Sequence, residues 1–282
     1  MRHIDTTQAE GLLRQYYQDC YAKVSGSDYY RLFADEKLKH SFQVIGAGNY
    51  IMQHEQVFHT SRADFLRCAK LAYLFHDIGR FTEIERRCAE EPNPQKHKHA
   101  IYSYEILQHY PEYNRPEILL PVKYHSCMIE ELYKAPEFLA LGDSQLRRDV
   151  EAITFLVRDA DKIANLYLMK TSAAKSDKVF NDLFLDHKKF SGVSAPILQA
   201  FMSGQVAPLG SIVTADDWLV SYMSWTYDLN YKASFDFCLR TGCFSNLQEV
   251  FNKHTADTLL QEQIGSTLQE YIRNRYQQFK GE

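Results

Sequence analysis

Apolar residues recur at spacings of three and four along nearly every informative segment of this 282-residue chain, the repeat of helices packed by one face. Residues 6–24 carry it through Leu12, Leu13, Tyr16, Tyr17 and Tyr21, after Thr6 and Thr7, which can cap. Residues 35–56 continue through Leu38, Phe42, Ile45, Asn49 and Met52, and residues 62–78 through Phe65, Leu66, Ala69, Ala72 and Phe75, with a stop at Gly79. Helices are predicted again over 97–109 and from Arg115 to Ser126, where Pro116 sits in the first turn and Pro121 bends the chain. The longest pattern, 146–170, runs through Val150, Ile153, Val157, Ala160, Ala164 and Leu168. Arg86–Lys96 and most of 187–213 read as loop. Thr214-x-x-Asp217 opens the aromatic segment 215–240, and Thr255 can cap a final helix over 256–279. Only 12 glycines and 8 prolines interrupt these patterns, so the expected fold class is all-α, with one domain over 1–282.

Charge and hydropathy narrow the function classes. A formal net charge of −4 leaves no extended nucleic-acid surface to expect, although a local basic pocket is compatible with it. No run approaches the ~18 uninterrupted apolar residues of a membrane helix, and the polar start, Met1 to Glu10, is unlike a signal peptide. A cytoplasmic location without a membrane partner is the expectation. The six cysteines (Cys20, Cys68, Cys88, Cys127, Cys238, Cys243) form no Cys-x-x-Cys pair and are read as core filler.

The chemistry begins at His76-Asp77, two adjacent metal-capable side chains at a predicted helix end, followed by Ile78-Gly79-Arg80. Where the chain leaves helical geometry both can turn toward one ion, and a carboxylate can bridge two. Asp161 lies on an otherwise apolar helix face with Val157, Ala164 and Leu168, where a carboxylate needs a cation or several hydrogen bonds. A salt bridge to Arg158 or Lys162 is the plainer reading of Asp161, and Asp159 falls away from that face toward solvent or a local hydrogen bond. His40, His99 and His125 sit near helix starts or ends, each on a different predicted helix.

In order these residues read His40, His76-Asp77, His99, His125, Asp161. The set resembles the HD-domain superfamily of metal-dependent phosphohydrolases, whose pattern is H…HD…H…H…D on a helical bundle. The resemblance covers about residues 35–170, leaving a helical extension over about 175–282. His76-Asp77-Ile78-Gly79-Arg80, Asp159-Ala160-Asp161-Lys162-Ile163 and the His99 to Leu107 stretch carry it. It implies that His40, His76, Asp77 and Asp161 hold one divalent ion, and that His99 and His125, with Asp77 bridging, hold a second. Nitrogen and oxygen ligands suit Fe, Mn, Co, Ni or Zn better than Ca. His97 rivals His99, while His3, His54, His59, His109, His187 and His254 are read as packed or solvated. Relatives of the cyclic-dinucleotide type carry a Lys where Arg80 stands, and a second His with Gly-Tyr-Pro where Ser126-Cys127-Met128 stands, which disfavours that substrate.

The implied function is hydrolysis of a nucleotide or other small phosphate ester by a metal-bound hydroxide. Asp77, Arg80 and Lys162 are its candidate catalytic residues, and Arg80 and Lys162 are suited to contact phosphate. Plainer roles are a helix C-terminal charge for Arg80 and an ion pair with Asp161 for Lys162. The alternative is a di-iron oxygenase resembling myo-inositol oxygenase, acting on a polyol or phosphonate; a third is a non-catalytic metal-stabilised binding protein. Trp225, Tyr227 and Lys232 are the residues of the aromatic segment to test for substrate contact, against the plainer reading that the segment is core.

Overall fold

A computed structural model describes residues 6–60, 62–89, 98–185 and 187–281. They form fifteen helices and three short 3₁₀ turns, with no strand among the described residues. The protein is all-α. The chain divides into two compact units, Met1–Asp161 and Lys162–Glu282.

The first unit contains α1 (Thr7–Lys23), α2 (Asp28–His54), α3 (Ala63–Phe75), α4 (Gly79–Cys88), α5 (His99–Gln108), α6 (Pro116–Tyr124), α7 (Ile129–Lys134), α8 (Pro136–Leu139) and most of α9 (Ser144–Ala173). Its central element is α3, whose Phe65, Leu66, Cys68, Ala69 and Leu71 to Phe75 are all buried. A helix apolar on every side must be surrounded, and α3 packs against α1, α2 and α6. The α2 contact is close: a Cβ on Gly48 would stand 2.6 Å from the Tyr73 ring. At the start of α9, Asp143 Oδ1 accepts from Gln145 N at 2.7 Å, while Arg62 pairs with Asp149. Leu120, Leu132, Ala135, Phe138 and Val150 form an apolar cluster between α6, α7, α8 and α9.

The second unit follows with α10 (Asp177–Phe184), α11 (Ala195–Met202), α12 (Ala215–Ser224), α13 (Lys232–Thr241), α14 (Cys243–His254) and α15 (Thr258–Gly281). The predicted start of α12 is a capping box, in which the Thr214 and Asp217 side chains each accept from the other's backbone N–H. The aromatic segment packs mostly by ring contacts, with Tyr222 and Phe235 buried and Trp218, Trp225, Tyr227 and Lys232 half-buried: Trp218 stacks on Tyr222 at 5.3 Å, Tyr227 meets Tyr271 at 4.5 Å, and Lys232 pairs with Asp236 at 2.6 Å.

Several local expectations are corrected. The helix before Gly79 ends already at Phe75, and Gly79 opens α4, which takes in Arg86 to Cys88; residues 90–96 of that predicted loop lie outside the described residues. Residues 187–213 contain α11, where Pro196 occupies the first turn and Ile197 and Phe201 are buried one turn apart. Thr6 makes no cap and donates to Glu10 Oε1 instead. Thr255 donates to Asp216 Oδ1 at 2.8 Å, and it is Asp257 that accepts from Leu260 N at the start of α15. Four cysteines are buried, but Cys88 is half-buried and Cys127 exposed. No helix among the described residues is long and apolar enough to cross a membrane.

Candidate metal centre

Between α3 and α4 the backbone tightens to three-residue hydrogen bonds, Ile78 N to Phe75 O at 3.1 Å and Arg80 N to Asp77 O at 2.9 Å. This turn presents His76 and Asp77, both almost fully buried. Helix α5 is locked onto it by Ser103, whose Oγ donates to His76 O at 2.9 Å and accepts from Gly79 N at 2.8 Å. A Cβ on Gly79 would stand 2.3 Å from Ser103 N and 2.4 Å from His99 O. The glycine is therefore required by the close approach of α5, and that approach brings His99, the first residue of α5, to Asp77.

His40 from α2, His76 and Asp77 from the α3–α4 turn, His99 from α5, His125 after α6 and Asp161 from α9 converge. His40, His76 and Asp77 each offer a ligand atom within 4.8 Å of the others, as do Asp77, His99 and His125. Asp77 belongs to both groups. Its Oδ1 is 3.2 Å from His99 Nε2 and 3.8 Å from His125 Nε2, and its Oδ2 is 3.9 Å from His76 Nε2. Asp161 Oδ1 accepts from His40 Nε2 at 2.9 Å and lies 3.8 Å from His76 Nε2.

Backbone carbonyls orient two of the rings. His76 Nδ1 donates to Tyr73 O at 2.8 Å and His125 Nδ1 donates to Val122 O at 2.7 Å. Each therefore turns a bare Nε2 lone pair inward, the arrangement of a metal-ligating histidine. The buried atoms His76 Nε2 and Asp77 Oδ1 have no hydrogen-bond partner, and unsatisfied buried acceptors that face one another call for a cation.

The electrostatics point the same way. Burial lowers the pKa of His40 against the opposing pull of Asp161, and burial with the Arg80 charge lowers that of His99 well below the usual range. Burial, then His76, lowers His125 to about 4. Burial alone would raise the two carboxyls. Asp77 is nevertheless held well below the carboxylate range by Arg80, His99, His76 and Lys37, and Asp161 below it by His40, His76 and His125. Neutral imidazole and ionised carboxylate are the forms that bind metal.

Other side chains fall differently from their sequence reading. Arg80 lies in the first turn of α4, not at a helix C-terminus; its Nη1 donates to buried Glu83 at 2.6 Å and its Nε is 3.6 Å from Asp77 Oδ2. Lys162 pairs with Asp228 at 2.8 Å. The 100° step of a helix turns it off the Asp161 face, so its charge is committed elsewhere. Arg158 bonds the backbone carbonyls of His125 and Cys127. Asp159 is fully buried, not solvated, because α9 is also lined by buried Leu156, Ala160 and Ile163. His97 lies outside the described residues. His54, His59, His109 and His187 are exposed, and His254 stacks on Phe190. Two residues escaped the sequence reading. Glu83 follows Arg80 by three positions. Lys37 precedes His40 by one turn and acts electrostatically on Asp77, Asp161 and Arg80. Helical spacing from His40 was the available signal for Lys37. Two cavities of about 450 Å³ are lined by residues of the second unit.

An all-α scaffold that gathers a His-Asp turn, three further histidines and a second aspartate around one carboxylate defines a class of candidate metal-dependent enzymes. Residues 38–166 match the family model described as HD domain. This segment is an HD domain, and HD domains are generally metal-dependent hydrolases that bind divalent ions. No curated protein and no solved structure matches the chain.

Proposed function

We propose that the protein is a phosphohydrolase acting on a small phosphate ester, with a nucleotide as the leading class. His40, His76, Asp77 and Asp161 would hold one divalent ion, and Asp77, His99 and His125 a second. The observation that carries the reading is the place of Asp77 in both ligand groups, the arrangement a two-ion site requires. Such ions, when bound, lower the pKa of water and neutralise charge on a phosphoryl group. Fe, Mn, Co, Ni and Zn all suit this donor set.

Within the reading, Arg80 orients Glu83, to which its Nη1 donates, and acts on Asp77 by charge from 3.6 Å, rather than gripping substrate. Lys37 is the cation left for phosphate. It is half-buried, its nitrogen makes no ion pair or hydrogen bond among the described residues, and it acts on Asp77 and Asp161. A cation so placed favours an anionic substrate over a neutral polyol.

Metal analysis of the purified protein, followed by a phosphoester panel with Mn, Co, Ni and Fe, tests the reading. Phosphate release that is lost in His76→Ala and Asp77→Ala is expected. Iron-dependent O₂ uptake with a polyol, without phosphate release, would overturn it.

A further inference from the structure

We propose that Arg158 is a positioning residue that fixes His125, and through it the spacing between the two halves of the metal centre. Arg158 is 2 % exposed, a burial that is costly for a guanidinium unless acceptors compensate it. Its Nη1 donates to Cys127 O and lies 3.3 Å from His125 O and 3.4 Å from Tyr124 O. These carbonyls belong to the end of α6 and the turn after it, where helical donors run out.

The end of α6 needs such support. His125 stands at its C-cap in right-handed helical conformation, Cys127 N returns to Tyr124 O at a long 3.3 Å, and residue 126 is Ser where a left-handed glycine would close the usual motif. Pro121 inside the helix lacks an N–H. The buried cation adds to this weak closure and meets the negative end of the helix dipole. His125 is thereby held at two points, its ring by Val122 O and its own carbonyl by Arg158. Arg158 also precedes Asp161 by three residues on α9, so the helix that bears Asp161 grips the turn that bears His125. One rigid element thus spans a ligand from each group.

This inference rests on the two-ion reading above. Its test is Mn²⁺ binding by calorimetry, with the ring ¹⁵N signals of His125 recorded on the metal-free protein, for wild type, Arg158→Met and Arg158→Lys. Arg62→Met, which loses a partner on α9 far from the ligands in sequence, serves as the stability control. Wild type is expected to take two equivalents. In Arg158→Met the weaker-bound ion should lose about 10- to 100-fold in affinity, while the other changes by less than about threefold, and His125 should no longer show a single Nδ1–H tautomer. Lysine keeps charge but not the planar fork and should fall between. Retention of both ions at wild-type affinity with an unchanged His125 signal, or equal loss of both ions, would overturn the proposal. If Arg158→Met does not fold, Arg158→Lys decides by the same two readouts. Wild type that binds no Mn²⁺ would defeat the two-ion reading instead, and the His125 signals would still decide whether Arg158 positions that ring.

Discussion

His99 Nε2 and His125 Nε2 face each other at 3.3 Å, and His125 cannot supply a proton between them because its Nδ1–H is held by Val122 O. Two such nitrogens are reconciled by a proton on His99 or by a cation that both ligate, and Asp77 Oδ1 stands 3.2 Å from His99 to complete the cradle. Divalent ions should therefore stabilise the fold. At one hundred times Kd the linkage is about 2.7 kcal/mol per site, several degrees of melting temperature for a chain of this length. Thermal denaturation with Mn²⁺ against chelator is the measurement. His99→Ala should retain roughly half of the shift; an unshifted wild type would count against any ion here.

Gly79→Ala should be far more damaging than Gly46→Ala. The first places a Cβ 2.3 Å from Ser103 N and 2.4 Å from His99 O, both backbone, whereas the second meets nothing within 4 Å. Backbone cannot step aside as a side chain can, so α5 must move and take His99 with it. A loss of about 1–3 kcal/mol is expected for Gly79→Ala, together with weakened metal binding. Gly46→Ala, in the interior of α2, should gain roughly 0.5–1 kcal/mol from helix propensity. Denaturant melts of the two variants make the comparison.

These two glycines also mark how far the sequence could be read. Periodicity placed the helices that present the six candidate ligands, because burying one face leaves a repeat of three and four. The pattern of His and Asp singled those residues out because an ion needs such atoms. Gly79 was misread, since a glycine that ends a helix and one that lets another helix approach are the same letter. Of the two readings of Asp159, solvent failed because α9 is apolar on more than one side, and a single-stripe argument sends such a residue toward water. Lys37 and Glu83 went unnoticed because their roles arise from neighbours distant in sequence, Asp77 and Arg80 among them.

Metal-free protein should lose stability as pH falls from about 6.5 toward about 4. The folded pKa of His125 is about 4 against 6.5 for the free side chain, and His40 and His99 are lowered as well. Between those values the unfolded chain binds more protons than the folded one, so the contribution is fully present above 6.5 and lost on acidification. Each such histidine gives a slope of about 1.4 kcal/mol per pH unit. Asp77 and Asp161, held low in the fold, add their losses only below about 3.8. Urea midpoints from pH 7.5 to 4.5 should show the histidine slope, and His125→Gln should flatten it. A flat profile in the wild type would contradict neutral buried imidazoles.

Lys37 and Arg80 should fail differently when neutralised. Arg80 bonds Glu83 through Nη1 and stands 3.6 Å from Asp77 through Nε, so Arg80→Gln leaves two buried carboxylates short of a compensating charge and should weaken metal binding and stability together. Lys37 has no carboxylate within ion-pair distance among the described residues, and its nearest described aromatic face is Phe33 at 5.7 Å. Lys37→Gln should therefore leave both nearly intact while KM for a phosphomonoester, and the inhibition constant of inorganic phosphate, rise about 10- to 100-fold, the scale of one charged hydrogen bond. Steady-state kinetics and Mn²⁺ titration on both variants separate the roles. Equal weakening of phosphate by the two changes, with metal binding untouched in each, would return Arg80 to the substrate and remove the distinction drawn between them.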